Sequence, residues 1–179
     1  PYPEAAARRP IAWSGGFRAL VLTGIGMTPD VGVGADLAAF VQRADKFVEL
    51  GVAKWAPRPM YLLPGGIGQV DFGVQLVALR AGWAAPRMPL RGWVGVEVGS
   101  MHGEGMALRT PESGTGRWIA IASGFGVGWP LSPRTRVVGT FEVAVPIERA
   151  KFTFMDGTEV REPAPISARS ALGLELAWR

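Results

Sequence analysis

Ser100, His102 and Glu104 stand two residues apart in "SMHGE" and share one face of an extended segment. A hydroxyl, an imidazole and a carboxylate are the groups of nucleophilic catalysis. His102 is the single histidine of the chain, so any imidazole base must be this residue. The spacing works against a ready-made relay, because same-face neighbours on a strand lie roughly 7 Å apart, too far for a direct hydrogen bond. The plainer reading is a strand that carries Val94, Val96 and Val98 and turns polar where it leaves an apolar layer.

A second constellation is dispersed. Asp36, Glu49, Asp71, Glu97, Glu142, Glu148, Arg169 and Glu175 each punctuate a face otherwise made of Gly, Ala, Ser and Thr. Charges set among such small residues could line an ion path. The better reading is a pairing network with Arg169 and Arg18, because unpaired burial of an ion is too costly. Elsewhere the chemistry is thin. There is no P-loop, dinucleotide fingerprint, metal-ligand cluster or Ser-His-Asp order, so no cofactor and no metal is expected. "GIGM" and "GGIGQ" are glycine-rich, but neither leads a helix, and both read as turns. The absence of cysteine excludes disulfides and thiolate sites. A net charge of +4, spread without runs, gives no nucleic-acid footprint.

The elements that must position these residues are strands. Glycine (25 residues) and proline (15) make long helices improbable in a chain of 179 residues. No apolar run approaches the roughly 18 residues of a membrane helix. Period-two alternation marks strands over Phe17–Met27, Val33–Arg43, Lys46–Ala56, Gln69–Trp83, Arg91–Met106, Arg117–Trp129 and Val137–Phe154. The closing segment "ISARSALGLELAWR" supplies an eighth. In the fourth strand the alternation breaks after Gln75, and a bulge near Val77 would restore it. The first twelve residues read as a linker, giving two parts: 1–12 and a β-domain over 13–179. A start at "PYPEAAARRP", without methionine or signal sequence, reads as a processed or trimmed product or part of a longer chain.

One face of each strand is Val, Leu, Ile and Phe without a central charge, and the opposite face is stripped to small residues. Solvent gives no reason for that stripping, whereas a crowded barrel interior does. The expected fold is therefore all-β: a closed antiparallel up-and-down transmembrane barrel of about eight strands, apolar side outward, with a plugged interior. The links around Ala44, Ala84–Leu90 and Leu131–Thr135 are short or medium. Those at Pro57–Gly68, Leu108–Gly116 and Met155–Pro165 are long, which puts both termini on the periplasmic side, with only the first link, short for an external loop, departing from the rule. Arg43, Lys46, Arg87, Arg91, Arg134 and Arg136 gather at the short turns, where headgroups or a periplasmic partner would meet them. By parity only Trp129 and Trp178 clearly face lipid. A soluble barrel carrier with inverted faces is the third reading, and the large residues are too many for its interior.

The layout, together with "RWIAIASGFGVGWPLSPRTRVVGTFEVAVPIERAKFTF" and "SALGLELAWR", resembles small eight-stranded bacterial outer-membrane barrels. In detail it resembles uncharacterised barrels of myxobacteria and related delta-proteobacteria. The resemblance implies an outer-membrane location and contact with outer-membrane lipid and lipopolysaccharide. It further implies a last strand read by the barrel assembly machinery through Gly173, Leu176 and Trp178, with Ala171 and Arg179 departing from that pattern. The role implied is a structural anchor or interaction module whose external loops or N-terminal linker hold a protein partner. The Ser100–His102–Glu104 row is similar in kind to outer-membrane lipid A deacylases, which implies His102 as base, Ser100 as nucleophile and Glu104 as orienter. Serine and histidine stand in the reverse order from that family's motif.

Overall fold

Exposed and buried side chains alternate along nearly every strand, as they must where the two faces meet different surroundings. The structure is a computed structural model that describes residues 13–61, 69–85, 88–106, 113–153 and 159–178. The 1–12 linker, Arg87, Arg179 and Gly65–Gly68 of "GGIGQ" lie outside the described residues. The strands are β1 (Trp13–Ile25), β2 (Gly32–Arg43), β3 (Lys46–Tyr61), β4 (Gln69–Ala84), β5 (Leu90–Met106), β6 (Ser113–Pro130), β7 (Thr135–Glu148), β8 (Phe152–Thr153), β9 (Glu159–Arg161) and β10 (Ser167–Trp178). There is no helix among the described residues.

β1 to β7 and β10 pair antiparallel in chain order, and β10 closes on β1 to complete an eight-stranded up-and-down barrel. β8 and β9 form a separate two-stranded hairpin between β7 and β10. The seam runs from Gly15 opposite Trp178 to Ile25 opposite Ala168. Gly173 sits inside this seam opposite Leu20, and a Cβ there would collide with the backbone of Ala19 and Leu20. At the β2–β3 link, Ala44 adopts φ 56°, a conformation costing about 1–2 kcal/mol outside glycine. The turn is held by Gln42 Nε2 donating to the Ala44 carbonyl (2.8 Å) and Ala84 N donating to the Asp45 carbonyl (2.6 Å).

Several boundaries differ from the sequence expectation. β1 begins four residues before Phe17, and β3 and β6 each run past their predicted loop-side ends. β4 has no bulge near Val77. Its ladders with β3 and β5 are unbroken there, and the register shift falls in β3 between Trp55 and Arg58. Pro57 and Pro59 flank Arg58, and a proline cannot donate to a ladder. β7 ends at Glu148 rather than Phe154, just beyond Pro146 and a register shift at Ile119 and Ala120.

Candidate functional site

The inner face has three levels. At the short-turn end, Arg91 donates to both oxygens of Glu175 (2.6 and 3.1 Å). The same guanidinium lies 5.5 Å from the ring centroids of Phe40 and Phe47, and the half-exposed Arg136 stands 3.6 Å from Glu175. At the middle level Arg18 of β1, Arg80 of β4 and Arg169 of β10 meet Asp36 of β2, Glu49 of β3, Glu97 of β5 and Glu142 of β7. At the loop end the interior is mostly apolar: Trp55, Phe72, Val74, Met101 and Trp118 are buried to 2% exposure or less, with the half-buried Arg58 set opposite Phe72.

Arg80 is the hub of the middle level. Its Nη2 donates to Asp36 (3.2 Å), Nη1 to Glu49 (3.0 Å) and Nε to Glu142 (3.0 Å). Arg18 Nη2 donates to the same Glu49 oxygen at 2.5 Å. Arg169 donates through Nε to Glu142 (2.7 Å) and through Nη2 contacts Glu97 and Glu142. Trp93 Nε1 donates to Glu142 at 2.6 Å. Seven of the eight barrel strands contribute a charge, and β6 contributes room through Ala120, Ala122 and Gly124. A Cβ at Gly124 would run into the Trp93 ring. The void left among Arg18, Asp36, Arg80, Trp93, Glu142 and Arg169 is about 10 Å³, near the least that one water requires. By contrast, an open bowl of about 930 Å³ lies at the short-turn end, floored by Arg91 and Glu175 and rimmed by Met88, Pro130 and Arg134.

Of the residues singled out by sequence, Asp36, Glu49, Glu97, Glu142 and Arg169 share the central cluster, and Glu175 lies apart with Arg91. Asp71 is a correction. It is on the outer face of β4, opposite Glu104, and accepts a hydrogen bond from Gln69 Nε2 (2.6 Å). Glu148 is likewise exposed rather than interior. Asp71 follows from strand parity, whereas Glu148 follows from the register shift at Ile119 and Ala120, which breaks the parity it would share with Glu142 and Ala144. With no bulge at Val77, the row Val70, Phe72, Val74, Leu76, Ala78 and Arg80 points inward throughout, which turns Asp71 out. The sequence reading missed Arg80 for the same reason. Arg91 was grouped with the turn cations, but it is buried, whereas Arg43, Lys46 and Arg134 are exposed.

Ser100, His102 and Glu104 do share one face, the outer one, and all three are exposed. His102 Nδ1 lies 3.2 Å from Thr115 Oγ1 of β6, so its ring is engaged across the ladder rather than along its own strand. Around them the outer face is apolar. Val21, Leu37, Leu50, Leu79, Val96, Ile121 and Leu172 are all about half exposed or more. Trp13, Trp83, Trp129 and Trp178 also face outward at the short-turn end, two more than parity suggested, while Trp55, Trp93 and Trp118 point inward.

No protein-family model and no curated protein matches the chain. Its architecture is similar to that of solved outer-membrane proteins. A major outer membrane protein from Thermus thermophilus superposes with a TM-score of 0.63 at 14% identity, covering 90% of this chain and 99% of that one. Ail, the attachment invasion locus protein of Yersinia pestis, in complex with the heparin analogue sucrose octasulfate, gives 0.59 at 12% identity over 93% and 97%. Neisserial surface protein A gives 0.53 at 10% identity over 92% and 96%. At these identities the likeness is one of fold.

Proposed function

We propose that this chain is a bacterial outer-membrane barrel that acts as a structural anchor or interaction module, with a filled interior and both termini in the periplasm. The observation that carries the reading is the inversion of the two faces. Val, Leu, Ile, Phe and Trp ring the outside, while Arg18, Arg80, Arg169 and four carboxylates are buried within. A monomer in water rarely exposes a contiguous apolar patch beyond a few hundred Å². A soluble carrier would require the opposite arrangement. The near-absence of free volume around the charge cluster supports a plug rather than a pore, since eight strands leave room only for side chains. The shorter links, the start of β1 and the end of β10 share one end of the barrel, which supports a periplasmic position for that end.

The enzymatic reading has less support. Ser100, His102 and Glu104 lie along one row at strand spacing, and the histidine is bonded to Thr115. The expected contacts are outer-membrane lipid and lipopolysaccharide along the sides, the barrel assembly machinery at β10, and a protein partner at the loops or the N-terminal segment. The purified chain should need detergent or lipid to stay monomeric and folded, and it should show no conductance steps above background in planar bilayers. A folded monomer in plain buffer refutes the membrane assignment, and clear conductance refutes the plug.

A further inference from the structure

The two edges of the outer apolar band differ. At the short-turn edge stand Trp13, Trp83, Trp129 and Trp178, with Arg43 and Lys46 between Trp13 and Trp83 in the ladder. At the loop edge, no outward tryptophan is present among the described residues. There a line of polar side chains crosses four strands: Lys54 of β3 is opposite Gln75 of β4, Gln75 opposite Ser100 of β5, and Ser100 opposite Arg117 of β6. All four are exposed, and they end the rows Val48–Leu50–Val52, Leu79–Val77, Val94–Val96–Val98 and Ile121–Ile119.

The ladder fixes the height of Gln75. Because a line of paired residues in a tilted barrel climbs toward the loop end by about 3 Å per strand, Lys54 lies about 3 Å nearer the turn edge and Arg117 about 6 Å further out. Trp83 to Gln75 is eight residues, which at about 3.4 Å per residue and a tilt of about 40° rises about 20 Å. The apolar band of a membrane barrel is about 25 Å tall, and long cationic side chains there extend toward its edge. Lys54 and Arg117 thus reach the layer where acyl chains give way to headgroups. Neither is neutralised by an ion pair with a described residue. The outward carboxylates Asp71 and Glu104 lie four residues further out along their strands than Gln75 and Ser100, and Glu148 lies across from Ile119. Lys54 and Arg117 are three strand spacings apart, about 14 Å at their Cα atoms, with two neutral hydrogen-bonding side chains between them.

Two separated cations flanking an amide and a hydroxyl match an elongated headgroup with phosphates at its ends and sugar hydroxyls between. We propose that the outward row Lys54–Gln75–Ser100–Arg117 is a docking site for the phosphorylated saccharide headgroup of an outer-leaflet glycolipid, a reading that rests on the membrane assignment above. Tryptophan favours the interface of ordinary glycerophospholipids, and its confinement to the opposite edge agrees with two chemically different leaflets.

The test uses the barrel refolded in phosphatidylcholine nanodiscs and titrated with bisphosphoryl lipid A, monophosphoryl lipid A or phosphatidylglycerol, with binding read by native mass spectrometry. Bisphosphoryl lipid A should bind most tightly, and Lys54→Gln/Arg117→Gln should weaken it about tenfold or more, as expected for loss of charge-assisted contacts. Arg43→Gln/Lys46→Gln, the same charge change at the other edge, should leave it unchanged. Equal affinity for phosphatidylglycerol, unchanged binding by the loop-edge variant, or equal loss in the turn-edge variant overturns the site alone. A barrel that stays folded in buffer and does not enter the discs overturns the membrane assignment and the site with it.

Discussion

Replacing Arg80 with methionine should cost the barrel about 3–5 kcal/mol, the range for breaking a buried ion pair from one side. The geometry says where that cost arises. Of the four carboxylates paired with Arg80, Glu49 keeps Arg18 at 2.5 Å, Glu97 keeps Arg169, and Glu142 keeps Arg169 and Trp93. Asp36 keeps no ion pair among the described residues, since its one there is with Arg80, and only the longer-range fields of Arg18 and Arg169 remain. It is 2% exposed, so it would be left as a buried charge without a partner. Methionine fills much of the volume, so the loss reports on charge rather than on a cavity. The second variant, Arg80→Met/Asp36→Asn, removes the stranded charge and should recover about 2 kcal/mol, within the usual range for coupled neighbours. Equilibrium urea unfolding from phosphatidylcholine vesicles, followed by tryptophan emission, measures both. A loss under about 1 kcal/mol for Arg80→Met, or no recovery in the double variant, refutes the assignment of Arg80 as the hub.

Leu172→Arg places a cation on the outer face of β10 well inside the apolar band and should cost about 2–4 kcal/mol in the same unfolding assay. A free energy unchanged from wild type would mean that this face does not meet acyl chains. Brominated lipid should quench Trp83 and Trp178 but not Trp118, so Trp83→Phe reduces total quenching while Trp118→Phe does not. The reverse result inverts the two faces. His102→Ala should leave the acylation pattern of lipid A unchanged in cells carrying the chain, and a changed pattern by mass spectrometry restores the enzymatic reading.

The outer rows were legible in the sequence because their central stretches are predominantly apolar. Leu172, Leu174, Leu176 and Trp178 face outward, and Arg169 and Glu175 inward, as their alternation with Gly173 indicates. The inner rows were legible only in part, because the interior changes chemistry along its length. Small and charged residues mark its middle level, so Asp36, Glu49, Glu97 and Glu142 stood out. At the loop end the filling is Phe72, Val74 and Met101, as apolar as any lipid-facing residue, and hydrophobicity no longer distinguishes inside from outside. That is why β4 read as two half-strands and why Asp71 was assigned to the wrong face. Parity carried unbroken from Val70 would have placed both Asp71 and Arg80 correctly. The ladder partners of Lys54 and Arg117 depend on register between strands, which no single strand's pattern contains.

The same two-chemistry interior bears on where function can lie. Buried ion pairs give little net stability compared with apolar packing of equal volume. An interior built only for stability could have been apolar throughout, as most of its loop end already is. What the central cluster adds is direction. Each guanidinium fixes carboxylates on strands far apart in sequence: Arg80 joins β4 to β2, β3 and β7, and Arg169 joins β10 to β5 and β7. A slip of one residue in any of these strands would put a charge into the outer apolar band and leave its partner unpaired inside. The cluster therefore selects one register around the whole barrel, including the β1–β10 seam where Gly173 admits the close approach. A barrel locked in this way at its middle level has its edges, loops and outer face free for function. Along that outer face, the break in the apolar band at Lys54, Gln75, Ser100 and Arg117 is the feature that register alone brings together.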